Sequence, residues 1–356
     1  PPYYANIGKR LVKSSKLYHL QNEYENWEFE IYETGLDWSD VLEAETVARH
    51  GRSLISKKSS LWNCATCGSK QYEPGWYCAS VAAVAYYLDP RNSICEDYIF
   101  QFEQLTYDST NQTKEGVEKI LADCDYMQGK ITYYDTKGAK KTINKTYIDV
   151  IMEAAKTYDV SPYHIASRIR QEIGTGKGSV IVSGTYGSYK GYYNYFNWGA
   201  FGDDIIGSGL KTAKDKGWTN PEKAIKGGVE AIAKNYISIG QDTLYFQKFD
   251  VVDGGDGYYG HQYMTNVSAS KTEGQTVRSA YKSMGLLSKD VKIKFKIPVY
   301  KNMPTIKAAE PGKETIITQD VQINENGVNI RKTASIDGTI IKTLNKGTKL
   351  LRIELA

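Results

Sequence analysis

A carboxylic acid near the end of an amphipathic helix is the group in this sequence best suited to acid catalysis. Ile165, Ile169 and Ile173 recur at four-residue spacing and predict a helix with one buried face. Glu172 lies beside that face in the last turn, before the glycines that end the helix. The negative end of the helix dipole and the apolar neighbours both disfavour its charged form. An acid that keeps its proton near neutral pH could protonate a leaving oxygen, whereas a solvated glutamate would only pair with Arg168 one turn earlier.

Two neighbouring segments contain a recognisable pattern. Residues 161–176 predict a helix that ends in Glu-x-Gly-x-Gly, and residues 192–200 read YYNYFNWGA. They resemble the glucosaminidase family of bacterial cell-wall hydrolases (glycoside hydrolase family 73), in which such a helix is followed by a YNxFNIGA-like motif. The similarity continues through residues 235–245 and 261–265, and earlier blocks resemble clostridial members. In separate blocks, the match covers about residues 15 to 304.

The resemblance implies an α+β fold, with a mainly helical, lysozyme-like catalytic domain and a small β-lobe. It also implies an endo-β-N-acetylglucosaminidase, which cuts the glycan strand of peptidoglycan after N-acetylglucosamine. In that reaction Glu172 would be the general acid, and catalysis would need no cofactor. We therefore expect a secreted, cell-wall-associated monomer whose partners are peptidoglycan glycan strands.

The second catalytic group is left open by the sequence. A two-carboxylate mechanism needs a partner for Glu172 at roughly 5–9.5 Å, yet no Asp or Glu occurs between Glu172 and Gly202. Asp203 and Asp204 follow at once and could position water, or the acetamido group of the substrate could assist a single acid. Family members have a tyrosine at the place of Tyr236, which could orient the acetamido group or be a packed helix residue. We favour Glu172 with Tyr236 and hold the two aspartates in reserve.

The glycine- and tyrosine-rich segment after this helix predicts the sugar-binding surface. Tyrosine combines a flat apolar face with a hydroxyl group, which suits stacking on sugar rings and bonding to their hydroxyl groups. The chain has 29 tyrosines against 8 phenylalanines. The residues expected to line the groove are Tyr186, Tyr189, Tyr192, Tyr193, Asn197 and Tyr263. The alternative is a loop that orders only when substrate binds.

Four of the five cysteines fall within one short stretch. The Cys64-x-x-Cys67 turn could present two thiolates to one structural zinc ion, and Cys78 and Cys95 would complete a tetrahedral site. His50 is a substitute for the fourth ligand. A disulfide, which an oxidising exterior allows, and reduced buried thiols are the alternatives, because spacing alone does not distinguish them.

Two other function classes compete with the glycosidase. Cys78 begins an apolar stretch predicted to be helical, and a helix N-terminus makes a thiol more acidic, as in cysteine peptidases. None of the four histidines lies in a recognisable peptidase motif, which counts against this alternative. Residues 321–351 resemble a bacterial SH3 module, which would suit a non-catalytic wall-binding protein. Such modules more often tether hydrolases to the wall, so the module favours an enzyme.

Capping and periodicity predict the elements that position these residues. A Ser-Pro pair at residues 161–162 supplies an N-cap and a first-turn proline, and Pro90 ends the preceding apolar helix. The predicted helices cover residues 37–54, 78–88, 114–121, 147–158, 161–174, 221–239 and 274–284, with a hairpin at residues 129–144.

Shifts in composition along the chain predict four segments. They are a helical N-terminal region packed on the catalytic domain (1–140), the catalytic domain (141–304), a linker (305–317) and a partial bacterial SH3 module (318–356). Turns at Asn326-Gly327, Asp337-Gly338 and Lys346-Gly347 predict short strands in the last segment. We expect these strands to begin a small barrel that this chain does not close.

Composition excludes several function classes. The 356 residues are 41% hydrophobic and 24% charged, as in ordinary globular proteins. With 45 basic against 41 acidic residues the net charge is only +4, whereas a nucleic-acid-binding protein would have a basic stripe. The sequence has no run of 18 apolar residues that would predict a membrane span. Its first residues lack a signal-peptide pattern, so an exported protein would be in a mature or trimmed form.

Overall fold

Helices form most of the middle of the chain, and strands lie before and after them. The structure is a computed structural model that describes residues 15–255, 257–283, 285–287, 291–313, 316–331 and 339–355. The helices are α1 (Ser15–Glu23), α2 (Trp38–Glu45), α3 (Val81–Leu88), α4 (Lys114–Ile120), α5 (Tyr147–Tyr158), α6 (Pro162–Ile173), α7 (Ile205–Asp215), α8 (Pro221–Asn235), α9 (Leu244–Phe249) and α10 (Ala269–Ser283). Short 3-10 turns lie at Pro90–Asn92, Ile99–Phe102, Asp125–Met127, Val180–Val182, Gly187–Tyr189 and Ile237–Ile239.

The strands form several small sheets rather than one large sheet. They are β1 (Trp27–Asp37), β2 (Leu54–Ile55), β3 (Gln71–Glu73), β4 (Trp76–Cys78), β5 (Lys130–Tyr134), β6 (Lys140–Thr146), β7 (Ile293–Lys301), β8 (Ile316–Gln322), β9 (Val328–Arg331), β10 (Ile340–Leu344) and β11 (Lys349–Leu355). β4 lies between β2 and β3, and β5 pairs with β6 in the predicted hairpin. More residues lie in helices than in strands, and the strands form only small sheets, so the structure confirms the predicted α+β class.

Capping residues explain where the central helix α6 begins and ends. Ser161 caps its N-terminus and a proline takes the first helical position. Gly174 ends the helix with φ at 86°, a conformation that favours glycine. Ile165, Ile169 and Ile173 are all buried, as their spacing predicts. Because its apolar face is held in the core, α6 presents a fixed opposite face to its surroundings.

The core lies where the central helices meet. α5 packs against α6 and α8, and α9 packs against α10. The 3-10 turn at Ile99–Phe102, all of whose residues are buried, packs against both α10 and β7. In the described ranges, no helix has both the length and the apolar character needed to cross a bilayer.

The N-terminal region is less helical than predicted, because it contains the long strand β1. β1 runs parallel to β7, with Trp27 opposite Ile293 and Phe29 opposite Phe295. The rings of Trp27 and Phe295 lie 5.0 Å apart in the core. The alternation of Trp27, Phe29 and Ile31 with glutamates is a strand signal. This pairing joins the N-terminal region to the segment of residues 293–301.

Some predicted helix boundaries are also wrong. The helix expected over residues 37–54 ends at Glu45, and the chain then turns before it enters β2. Cys78 ends strand β4 instead of starting a helix, and α3 begins only after the Ser80 cap. Val81 is 48% exposed, so α3 is not buried on all sides as its composition predicts. α8 is shorter and α10 longer than expected, whereas α4, α5, α6 and the β5–β6 hairpin confirm their predictions to within a turn.

The C-terminal segment consists of short antiparallel strands. β8 pairs with β11 and β9 pairs with β10. The predicted glycine turns at Gly327 and Gly347 have φ at 78° and 87°, while the turn predicted at Asp337-Gly338 lies outside the described residues. The SH3 assignment and the boundaries of the four predicted segments stay predictions.

Candidate active site

A cleft of 320 Å³ runs along one face of α6. His164, Arg168 and Glu172 follow one another at four-residue spacing, which places their side chains on that face. The lining residues are His164, Arg168, Glu172, Phe196, Asn197, Trp198, Gly199, Ala200, Ile205, Ile232, Tyr236, Gln247 and Tyr263. Among these residues of the described chain, Glu172 is the one carboxylate.

Glu172 is held by the motif that follows α6. Its side chain is half-buried, and the side-chain amide of Asn197 donates a hydrogen bond to its carboxylate oxygen Oε2 at 3.2 Å. The same amide donates to the backbone carbonyl of Glu172 at 2.8 Å. Asn197 has φ at 51°, a left-handed conformation that asparagine tolerates better than most residues. The asparagine thus ties the loop of residues 192–200 to the last turn of α6 and orients the carboxylate.

Arg168 is part of the cleft wall and not of an exposed surface pair. It is 8% exposed, and its guanidinium group lies 4.5 Å from the ring centroid of Tyr263. Its Nη1 atom lies 3.4 Å from a carboxylate oxygen of Glu273. Among the described residues the carboxylate paired with Arg168 is therefore Glu273, and the predicted alternative, a solvated pair of Arg168 with Glu172, is wrong.

Glu273, on α10, is a charged residue of this site that the sequence analysis missed. Burial raises the pKa of Glu273, the nearby charge of Glu172 raises it further, and Arg168 opposes both effects. The charge of Glu172 likewise acts on Arg168 and Tyr263. Glu273 therefore interacts electrostatically with Arg168 and Glu172, although it is not itself among the residues that line the cleft.

Tyr236 lies opposite α6, at the C-terminal end of α8. Its ring is 5.2 Å from the ring of His261 and 5.5 Å, edge to face, from the ring of Tyr263. The His261 ring nitrogen Nε2 lies 2.7 Å from the backbone oxygen of Asn235. Burial raises the pKa of both Tyr236 and Tyr263, so their hydroxyl groups stay protonated as hydrogen-bond donors. Tyr236 and Tyr263, both named from the sequence, are thus brought together in the cleft.

His164 forms the inner wall of the cleft and was not singled out from the sequence. Burial, and secondly the positive charge of Arg168, lower the pKa of His164 to about 3. The imidazole is therefore neutral throughout the physiological pH range. It could donate or accept one hydrogen bond, but it does not supply a positive charge.

Asp203 and Asp204 are not brought into the cleft. Both are exposed, and neither is among the residues that line it. Asp204 accepts the backbone N–H of Gly207 at 2.9 Å and so acts as the N-cap of α7. Their proposed role as reserve catalytic groups is therefore not supported by their positions.

The tyrosine-rich loop contributes less to the cleft than predicted. Tyr193 is buried, and its hydroxyl group both accepts from and donates to the backbone of Tyr134, at 2.8 and 2.9 Å. Its hydroxyl group is thus committed to the β5–β6 hairpin, and Tyr193 is not among the residues that line the cleft. Tyr186, Tyr189 and Tyr192 are half-buried against the core and do not line the cleft.

The cysteines form a different group from the predicted one. Cys64, Cys67 and Cys78 come together with His50, and their donor atoms all lie within 4.8 Å of one another. In the described residues Cys95 does not belong to this group, so its predicted role as the fourth ligand is wrong. The substitute ligand named from the sequence, His50, takes that place.

The position of Cys78 also removes the physical basis for a cysteine peptidase. The residue ends a strand, so no helix N-terminus activates its thiol. Burial raises the pKa of Cys78 to about 12, the opposite of what a nucleophilic cysteine requires.

Comparison with known proteins supports the resemblance stated from the motifs. No family model matches the chain. A bifunctional autolysin of Staphylococcus epidermidis is 32% identical over 156 residues, which are 42% of this chain and 11% of the relative. A beta-N-acetylglucosaminidase of Bacillus subtilis is 29% identical over 211 residues, 58% of this chain and 21% of the relative. The chain therefore spans only a small part of the curated relatives it matches.

A solved structure shows the same fold over most of the chain. The crystal structure of S. aureus glucosaminidase B is 23% identical in sequence and superposes with a TM-score of 0.53. The match covers 78% of this chain and 95% of that protein. The chain therefore has the fold of this glucosaminidase, as the resemblance implied.

Proposed function

We propose that this chain, which has the glucosaminidase fold, is a peptidoglycan hydrolase that cleaves the glycan strand after N-acetylglucosamine with Glu172 as its general acid. The observation that carries the proposal is the position of Glu172, the one carboxylate among the described residues that line the cleft. The similarity to autolysins and to a beta-N-acetylglucosaminidase supports the substrate class. We further propose that the protein acts outside the cell, at the wall.

In the proposed reaction Glu172 gives its proton to the glycosidic oxygen as the bond from that oxygen to the sugar carbon C1 breaks. The amide of Asn197 then stabilises the carboxylate that remains, because it already donates to Oε2 at 3.2 Å. The half-buried position keeps competing water away from most of the acid. Asn197 is thus a positioning residue for the acid.

The acetamido group of the substrate supplies the nucleophile in this proposal. Its carbonyl oxygen attacks C1 as the leaving oxygen takes the proton, which forms a cyclic oxazolinium. Water then attacks C1 as the bond from C1 to the acetamido oxygen breaks, and Glu172 takes a proton from that water, which restores both the acetamido group and the acid. Tyr236, and Tyr263 beside it, would orient the acetamido group, since their rings form one edge-to-face pair in the cleft. This route is favoured because the cleft offers no second carboxylate from the described residues.

Arg168 and Glu273 set the charge around the acid. The guanidinium group of Arg168 is buried, and a buried charge needs a partner of opposite sign. Glu273 supplies that partner at 3.4 Å. Glu273 therefore acts through Arg168, as a positioning residue, and does not touch the reacting atoms.

The direct test compares Glu172→Gln with the wild type on purified cell walls. Glutamine preserves the shape of the side chain but cannot donate the proton, so wall clearing should fall by at least about 10³-fold. Glu230→Gln is the matched control, because Glu230 is a helix carboxylate that is paired with Lys234 and is not among the residues that line the cleft. Wild-type clearing by Glu172→Gln would refute the assignment.

The products identify the bond that is cut. After borohydride reduction of the released fragments, an endo-glucosaminidase yields reduced N-acetylglucosamine ends, seen by mass spectrometry. Reduced N-acetylmuramic acid would indicate cleavage of the other glycosidic bond. New amino ends would indicate a peptidase, and wall binding without any product would indicate a non-catalytic wall-binding protein.

A second experiment separates the proposed nucleophiles. A thiazoline analogue of the oxazolinium should inhibit the enzyme if the acetamido group assists, and walls stripped of N-acetyl groups should resist cleavage. Tyr236→Phe should lower kcat, whereas Asp203→Asn and Asp204→Asn should leave kcat within about twofold because both are exposed. A large loss of kcat in either aspartate variant would instead favour an aspartate that positions water.

A further inference from the structure

The Cys/His group lies in a lobe made of residues 46–80. His50 comes from the turn after α2, Cys64 and Cys67 come from one turn, and Cys78 ends β4. Residues such as Ile55 and Trp62 anchor the lobe in the core, but its regular structure is limited to the short strands β2, β3 and β4. A metal ion that joined its turns would therefore add to its stability.

The geometry of the donor atoms fits one tetrahedral metal ion. Zinc bound at about 2.3 Å from sulfur and about 2.0–2.1 Å from nitrogen separates neighbouring ligand atoms by roughly 3.5–3.8 Å. The Nδ1 atom of His50 lies 3.7 Å from the Sγ atom of Cys64, and all four donor atoms lie within 4.8 Å of one another. Each of the cysteines is a free thiol rather than part of a disulfide. Three thiolates and one imidazole are the donor set that structural zinc prefers.

Backbone and side-chain contacts hold the donor atoms in this arrangement. The backbone N–H of Cys64 donates to the carbonyl of Cys78 at 2.8 Å, which joins the turn to the end of β4. The hydroxyl group of Tyr72 lies 3.3 Å from the Sγ atom of Cys67, as expected of an outer contact that orients a metal ligand. A Cβ atom at position 51 would lie 2.4 Å from the Tyr72 ring, so Gly51 is required for this close approach.

The lobe is connected to the wall of the cleft by main-chain hydrogen bonds. Leu54, which pairs with Cys78, donates to the carbonyl of Thr265 at 2.8 Å and accepts from Val267 at 2.9 Å. Tyr263, two residues earlier, is fixed through its N–H to the carbonyl of Gln247 at 2.8 Å. The segment of residues 263–267 is therefore held by the lobe on one side and by α9 on the other.

We propose that His50, Cys64, Cys67 and Cys78 bind one structural zinc ion, which holds this lobe against the segment that carries Tyr263. Binding deprotonates the three thiols and uses a neutral imidazole nitrogen. The ion is closed to substrate by its four protein ligands, so its role is structural. The inference concerns stability and metal content, and it stands independently of the reaction proposed for Glu172.

The first experiment measures the zinc content of the purified protein and its variants. Full-length protein purified under reducing conditions should contain one equivalent of zinc after dialysis, measured by elemental mass spectrometry. Cys67→Ser and His50→Ala should lose it, whereas Cys95→Ser and Cys124→Ser, whose thiols lie outside the group, should keep it. Zinc-free wild-type protein, or loss of zinc in Cys95→Ser but not in His50→Ala, would overturn the assignment.

A conservative variant keeps the proposal testable if the alanine and serine variants fail to fold. His50→Cys should retain one metal ion and, after replacement by Co²⁺, should show a shifted visible spectrum because a thiolate has replaced a nitrogen ligand. An unchanged spectrum would exclude His50 as a ligand. Thiol titration of the unfolded, chelator-treated wild type should find all five cysteines, and two missing thiols would show a disulfide instead.

Discussion

The side-chain amide of Asn197 bonds to both the backbone carbonyl and the carboxylate of Glu172, at 2.8 and 3.2 Å. The loop motif and the helix motif thus meet in one residue pair, although 24 residues separate them in the sequence. The pairing explains why a left-handed asparagine lies in the loop at φ 51°. Few residue types both adopt this left-handed conformation and donate two hydrogen bonds from the side chain.

Asn197→Gly should lower kcat roughly 10-fold with little change in stability. Glycine accepts the positive φ without strain, so only the amide is lost. Asn197→Asp should be less active still at neutral pH, because it cannot donate and places a second charge beside Glu172. Kinetics on purified walls, with thermal unfolding as the control for folding, would check both. Equal activity of glycine and asparagine at this position would contradict the positioning role.

Glu273→Gln should lower kcat/KM roughly 10-fold. Arg168 would lose its carboxylate partner at 3.4 Å, so the guanidinium group beside the Tyr263 ring would be held less firmly in the cleft wall. Kinetics on purified walls, with Glu230→Gln as the control, would check the prediction. A Glu273→Gln variant with wild-type kcat/KM would show that Arg168 needs no such partner.

Glu103→Gln should stabilise the protein at alkaline pH and have little effect in acid. Burial raises the pKa of Glu103 to about 8, and Tyr281 donates a hydrogen bond to it at 2.9 Å. The folded state therefore holds a proton that the unfolded state releases above about pH 4.5. The contribution of the protonated Glu103 to the free energy of unfolding is therefore fully present below that pH and is lost as the pH rises through about 8.

Glutamine cannot titrate, but it can still accept the bond from Tyr281. Urea unfolding at pH 5 and pH 9 should show a higher free energy of unfolding for Glu103→Gln only at pH 9. The exposed Glu118→Gln is the control, and it should follow the wild type at both values. A variant of Glu103 that is less stable at pH 9 would show that the carboxyl is charged in the folded protein.

Gly274→Ala should destabilise the protein by about 1–3 kcal/mol, although alanine is the better helix former. An added Cβ atom would lie 2.5 Å from the backbone nitrogen of Gln101, which cannot move as a side chain can. α10 would be pushed outward together with Glu273. Thermal unfolding would check this against Gln275→Ala, an exposed neighbour on the same helix. If Gly274→Ala were more stable than the wild type, α10 and the 3-10 turn at Ile99–Phe102 would be able to move apart without cost.

Local features of the sequence were enough to predict the central helices and the place of Glu172 in the last turn of α6. The Ser161 cap, Gly174 and the isoleucine spacing define α6, and the position of Glu172 in the helix follows from them. Such signals act within a few residues and do not depend on the rest of the fold. The same is true of the β5–β6 hairpin.

Features that depend on distant contacts could not be predicted in the same way. Glu273 meets Arg168 only because α10 packs near α6, and nothing in its local sequence marks it as part of the site. Cys95 follows α3 and is not part of the group formed by the other three cysteines. His50 belongs to that group because the chain turns after α2. β1 did have a local signal, the alternation from Trp27 to Ile31. Its partner strand β7, however, begins only at Ile293, and nothing near Trp27 in the sequence identifies that partner.

The pairing of β1 with β7 has a consequence for biosynthesis. Trp27 leaves the ribosome early, but its neighbours Ile293 and Phe295 are made hundreds of residues later. Until residues 293–301 have been synthesised, β1 therefore has no β7 to pair with. The part of the fold that β1 and β7 join cannot be completed before that point in translation.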